Sequence, residues 1–132
     1  MNINVSVGLS STIESIVMQK DTASEYGSGG VDVFATPAMI GFMEKAAMSA
    51  VGLHLGKDYS TVGTKIDIKH IAATPVGMKI KTKAQLIEID GKRLVFKVEA
   101  YDEKELIGEG MHERYIINLE KFMDRVNKKF NL

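Results

Sequence analysis

Residues 38–55 (AMIGFMEKAAMSAVGLHL) are apolar around almost the whole circumference of the helix they would form, about 27 Å long at 1.5 Å per residue. Only an arc holding Gly41, Lys45, Ser49 and Gly52 suits water. A helix of this kind cannot lie on a surface, so the rest of the chain has to wrap it. Its start is marked by Thr36-Pro37, a hydroxyl able to cap free amides followed by a proline at the first helical position. Gly56 lies just past its end.

Beyond the helix the apolar pattern changes to a period of two. In residues 64–72, Ile66, Ile68, His70 and Ala72 share one strand face while Lys65, Asp67 and Lys69 share the other. After a turn at residues 75–77, Met78, Ile80, Thr82, Ala84 and Leu86 alternate with Lys79, Lys81, Lys83 and Gln85. Asp90-Gly91 is a tight hairpin signal, leading into a strand with Leu94, Phe96, Val98 and Ala100 inward. The turn DEKE then opens residues 106–117, where Gly108, Gly110, His112 and Arg114 share a face. Residues 11–18 read as a further strand ahead of the helix, and DTASEYGSGGVDV (residues 21–33) as a loop. Asn118 caps a short terminal helix carrying Leu119, Phe122, Met123, Val126 and Phe130 on one side. The expected architecture is α+β: five antiparallel strands curved around one long central helix, with a short C-terminal helix. Five strands leave open edges and cannot enclose every side of such a helix, and a homodimer is the simplest cover.

The chain of 132 residues suits a single domain over residues 1–132. Lys+Arg and Asp+Glu are both 17, so bulk charge gives no reason to expect nucleic acid or an anionic membrane surface as a partner. Absence of cysteine removes disulfides, thiolate metal sites and cysteine nucleophiles. MNINVSVGLSS has no basic stretch followed by a continuous apolar run, and the one long apolar segment contains Glu44, Lys45 and His54. The expectation is a cytoplasmic protein outside the membrane.

Chemistry enters with Glu44, which falls on the apolar side of the helix between Ile40 and Val51. An unpaired ion enclosed by hydrocarbon costs several kcal/mol or takes up a proton, so an acid there needs a reason. Thr36 stands two turns away, and helical side chains lean toward the N-terminus. His70 comes from a strand face aimed at the helix, in the same subunit or a partner. A hydroxyl, a carboxylate and an imidazole near free helix amides suit acyl chemistry. Each also has a structural reading: Thr36 as a cap, Glu44 paired with a cation or reaching water past Ala47, and His70 as a core histidine bonded to a carbonyl. His112 and Arg114 read as a structural pair or a phosphate contact, and the row Lys79, Lys81, Lys83 as a solvated face.

Three blocks, VFATPAMIGFMEKAA (33–47), GTKIDIKHIAATPVGM (63–78) and GEGMHERYIINLEKF (108–122), together resemble the hotdog-fold acyl-CoA thioesterases, most closely the fluoroacetyl-CoA thioesterase-like branch. The likeness spans about residues 31–122. It implies a hotdog fold, two subunits joined sheet edge to sheet edge, and paired sites at the seam. It implies hydrolysis of a small or medium acyl-CoA with no metal and no cofactor, coenzyme A being part of the substrate. Carried over by position, the catalytic residues are Thr36, Glu44 and His70, with Glu44 as base or nucleophile; Gly63 makes a close backbone approach to the thioester. Lys65, Lys69 and Arg114 are candidate cations for the coenzyme A phosphates, with Arg114 taken as the substrate-binding one, and the sequence does not choose among them. One stretch departs: the segment before the helix, rich in phenylalanine in the fluoroacetyl enzyme, is EYGSGGVDV here and does not supply the same apolar selection. A non-catalytic acyl-CoA binding module is the second reading, and an enoyl-CoA hydratase the third; the latter wants an Asp/His pair, and Asp67 lies on the opposite strand face from His70.

Overall fold

The computed structural model describes residues 3–131. Strand β1 (Ser10–Ile16) leads through a 3-10 turn into a short helix α1 (Ala23–Tyr26), then the long helix α2 (Thr36–Gly52). Strands β2 (Tyr59–His70), β3 (Lys79–Asp90), β4 (Arg93–Tyr101) and β5 (Leu106–Asn118) come next, and helix α3 (Leu119–Asn127) after them. The five strands form one sheet in the order β1-β3-β4-β5-β2, antiparallel throughout, with β1 and β2 at its edges.

The two-residue period decides which face meets the helix. Ile80, Thr82, Ala84 and Leu86 of β3 and Leu94, Phe96, Val98 and Ala100 of β4 are buried, whereas Lys79, Lys81 and Lys83 are exposed. Against them α2 buries Met39, Met43, Ala46, Ala47, Ala50 and Val51. Three of these six are alanines, which lets the helix axis come close to the strands. The approach is tightest at Gly108, where a Cβ would fall 2.5 Å from Met39 Sδ. Gly108 pairs in register with His70, and Gly63 pairs with Arg114. The helix therefore starts beside the His70 end of β2 and runs toward the Gly63 end.

Several boundaries differ from the sequence reading. Helix α2 ends at Gly52 rather than near residue 55, and Leu53 is 98% exposed, while Leu55 returns to the core. Strand β2 begins earlier, at Tyr59, and is interrupted by a register shift between Gly63 and Lys65. Residues 21–33 are not an open loop. Thr22 caps α1, Ala23 N–H and Ser24 N–H donate to the carbonyls of Val33 and Val31, and Ser28 N–H returns to the Ala23 carbonyl. Helix α3 is capped by Asn118 as expected, Lys121 N–H donating to its side-chain oxygen at 3.1 Å. Its apolar side is uncovered in the single chain: Leu119, Met123 and Val126 are all exposed.

Candidate functional site

Thr36 does not cap the helix. The N-cap is Ala35, which has no side-chain cap, so Thr36 is the first helical residue and its hydroxyl is free to turn outward. It meets His70 Nδ1 at 2.7 Å. The edge of the buried Phe34 ring braces the imidazole, centroids 6.4 Å apart at 81°. Burial holds the His70 pKa below the ordinary imidazole value, so the ring is neutral at pH 7. Its Nε2 is buried and meets no partner at full hydrogen-bond geometry among the described residues, although the Ala72 backbone lies close enough to favour a proton on the ring. Beside the pair opens a cleft of about 500 Å³ walled by Ala23, Ser28, Val33, Phe34, Ile71 and Ala73.

Glu44 lies elsewhere, and not in hydrocarbon. It is half-buried on the flank of α2 that passes over the Gly63–Arg114 pair of strands β2 and β5. Gly63 is what lets it in. A Cβ at this residue would lie 3.4 Å from Glu44 Oε2, 3.4 Å from Arg114 Nη1 and 3.2 Å from His112 Cε1, so the missing side chain leaves a small space bounded by an acid and a base.

Arg114 is only 5% exposed, and its guanidinium is fully engaged on one side. Nε donates to Thr61 Oγ1 at 2.7 Å, Nη2 to the Thr61 carbonyl at 2.8 Å, and Nη1 to His112 Nε2 at 3.2 Å. His112 in turn donates from Nδ1 to the Lys65 carbonyl at 2.8 Å. The partners fix the tautomer, since a carbonyl only accepts and a guanidinium only donates. Burial and the adjacent Arg114 charge keep His112 below the ordinary imidazole pKa. His112 and Arg114 are thus the structural pair that the HER segment suggested. Arg114 is withdrawn from phosphates in solvent, whereas Lys65 and Lys69 remain exposed.

One chain therefore holds two separate clusters. Thr36 joins His70, and Glu44 joins Gly63 and Arg114. Thr36 and Glu44 are eight steps apart along the helix, about 12 Å of rise. Glu44 forms no hydrogen bond with His70 among the described residues. Sequence reasoning passes over Thr61, whose hydroxyl and carbonyl seat Arg114, and Thr74, which precedes a proline just as Thr36 does. Among the described residues no three His, Cys, Asp or Glu side chains cluster to hold a metal ion, and no helix is long and apolar enough to cross a membrane.

Comparison with known proteins adds to this geometry. The family model described as "Fluoroacetyl-CoA-specific thioesterase" matches residues 17–120. A "Fluoroacetyl-CoA thioesterase" from Streptantibioticus cattleyicolor is 42% identical over 98 residues, 74% of this chain and 70% of that protein. The solved structure of the fluoroacetyl-CoA thioesterase FlK superposes with a TM-score of 0.88 at 36% identity, covering 96% of this chain and 98% of that one. A thioesterase superfamily member from Thermus thermophilus reaches 0.86 at 26% identity, covering 97% of each chain.

Proposed function

This chain belongs to the fluoroacetyl-CoA-specific thioesterase family and has its hotdog fold, and from that premise we propose how it hydrolyses acyl-CoA thioesters and which acyl groups it takes. The 2.7 Å contact between Thr36 and His70, at a helix start and beside a cleft, carries the reading. Neutral His70 accepts the Thr36 hydroxyl proton at Nδ1, which leaves the ring hydrogen on Nε2. The first amides of α2 polarise the thioester carbonyl. Water held at Thr36 adds to the carbonyl carbon as Glu44 takes its proton; in the covalent course the Glu44 or Thr36 oxygen adds first, and water then hydrolyses the acyl-enzyme so formed. In either course the C–S bond breaks, and the coenzyme A sulfur leaves with a proton. Gly63 gives the thioester room and Arg114 holds the far side of that space. A cleft of about 500 Å³ with mostly apolar walls, Phe34 and Ile71 among them, suits a small or medium acyl group.

The site is completed by a second copy. Strand β2 is a free edge, and because the register shift between Gly63 and Lys65 takes one residue out of the ladder, His70 and Gly63 each lie three pairs from Asp67, the midpoint between them. If β2 pairs antiparallel with itself about that midpoint, Gly63 of one protomer lies opposite His70 of the other, bringing Glu44 to the Thr36–His70 pair.

A thiol-release assay across acetyl-, butyryl- and longer acyl-CoA tests the activity. The wild type releases free thiol, and Glu44→Ala reduces kcat by about a hundredfold or more, the scale of losing general base catalysis. Unchanged hydrolysis by a folded Glu44→Ala protein removes Glu44 from the mechanism. Saturable acyl-CoA binding with no thiol released would make the protein a binding module.

A further inference from the structure

Thr74 is fully buried, yet it lies on a connection between strands and outside the candidate site. Its carbonyl and its hydroxyl are both in use. Its carbonyl accepts Phe34 N–H at 2.8 Å, two residues before Thr36. Its hydroxyl donates to Asp102 Oδ2 at 2.8 Å, in the β4–β5 turn. The segment leading to Thr74 starts at His70, and Ile71 N–H is pinned to the Ile107 carbonyl at 2.7 Å. Phe34, the residue tied to Thr74, is also the one whose ring edge braces the His70 imidazole.

Asp102 is itself held firmly. Its Oδ1 accepts Lys104 N–H at 2.8 Å and Glu105 N–H at 3.0 Å, and its own N–H donates to the Glu105 carbonyl at 3.0 Å. Desolvation pushes its pKa up, but the hydrogen bonds from Lys104, Thr74 and Glu105 outweigh this and hold it below the usual carboxylate value. The carboxylate thus stays ionised, and it is anchored to one turn while it grips another.

From these contacts we infer that Asp102 is a positioning residue for hydrolysis: through the Thr74 hydroxyl it holds a residue to which both the Thr36-bearing and the His70-bearing segments are referenced. The inference rests on the thioesterase reading above. Thr36 and His70 come from segments 34 residues apart, and a 2.7 Å contact between them requires that neither drifts by as much as 1 Å. Thr74 supplies the common reference by its backbone on the Phe34 side and by chain continuity on the His70 side. Asp102 prevents Thr74 from rotating out.

The test compares Asp102→Asn, Thr74→Val and Thr74→Ser with the wild type, reading kcat and KM for one acyl-CoA and the imidazole NMR resonances of His70. Asp102→Asn and Thr74→Val lower kcat about tenfold or more while KM stays within about twofold, as expected when reacting groups are misplaced but binding is kept. Thr74→Ser, which keeps the hydroxyl, restores kcat, and the His70 resonances move in the first two variants only. Wild-type kcat in folded Asp102→Asn and Thr74→Val, equal loss in Thr74→Ser, or unmoved His70 resonances would each overturn the inference. Failure of the wild type to release thiol would instead overturn the thioesterase reading, while the resonances still report on the strut.

Discussion

His112 is kept neutral by burial and by the Arg114 guanidinium on one nitrogen, against the Lys65 carbonyl on the other, which favours a charged ring. A proton on Nε2 would remove the acceptor that Arg114 uses and set two cations together. Glu44 and Glu113 act in the opposite sense, but burial and Arg114 prevail. His70 is depressed as well, by burial. For both, the unfolded chain takes up a proton near the ordinary value of about 6.5 while the folded protein does not. Their contribution to stability is therefore present above that pH and lost as the pH falls through it toward the folded values. Chemical denaturation at about pH 7.5 and about pH 5.5 checks this: the wild type loses stability on acidification, and His112→Gln loses less, since an amide can donate to Lys65 and accept from Arg114 without titrating. The same sign applies to catalysis, so the acid limb of kcat/KM lies below the usual imidazole range.

At the scale of elements, the crossing of α2 over β5 is set by a missing side chain. Gly108→Ala would press a methyl group against Met39 Sδ and Cε, with the Lys69 carbonyl 3.2 Å away on the other side. The expected cost is about 1–3 kcal/mol in denaturant unfolding, with a fall in kcat because Gly108 pairs in register with His70. The Gly108→Ala, Met39→Ala double variant regains part of it. This crossing also marks where the sequence stops being legible. The inward faces of β3 and β4 can be read directly, because one side meets a helix and the other meets water. On β5 the shared face of Gly108, Gly110, His112 and Arg114 is visible, but its reason is not, since that depends on Met39 arriving from another element. A hydroxyl before a proline reads as a cap, and the pattern does not distinguish the cap from the first helical position, where Thr36 stands. Glu44 stands out among its apolar neighbours in the sequence, but its surroundings belong to Gly63 and Arg114, which a helical projection does not contain.

For the whole molecule, the division into two clusters gives a direct experiment. Glu44→Gln and His70→Ala chains are each inactive alone, and mixed equally after co-refolding they recover up to about a quarter of wild-type activity, because half the dimers are mixed and each has one intact site. No recovery at any ratio would place the whole reaction within one chain. The rim of the cleft adds a different consequence. Between Tyr26 and Val31 the chain is Gly-Ser-Gly-Gly, and a Cβ at Gly30 would meet nothing within 4 Å. The contact between Thr36 and His70 is tied down at Phe34, Thr74 and Asp102, all outside this tip. Bulk can therefore be added at Gly30 without disturbing the machinery below it, so descendants of one ancestor can diverge in diet by changing the doorway while inheriting the same chemistry.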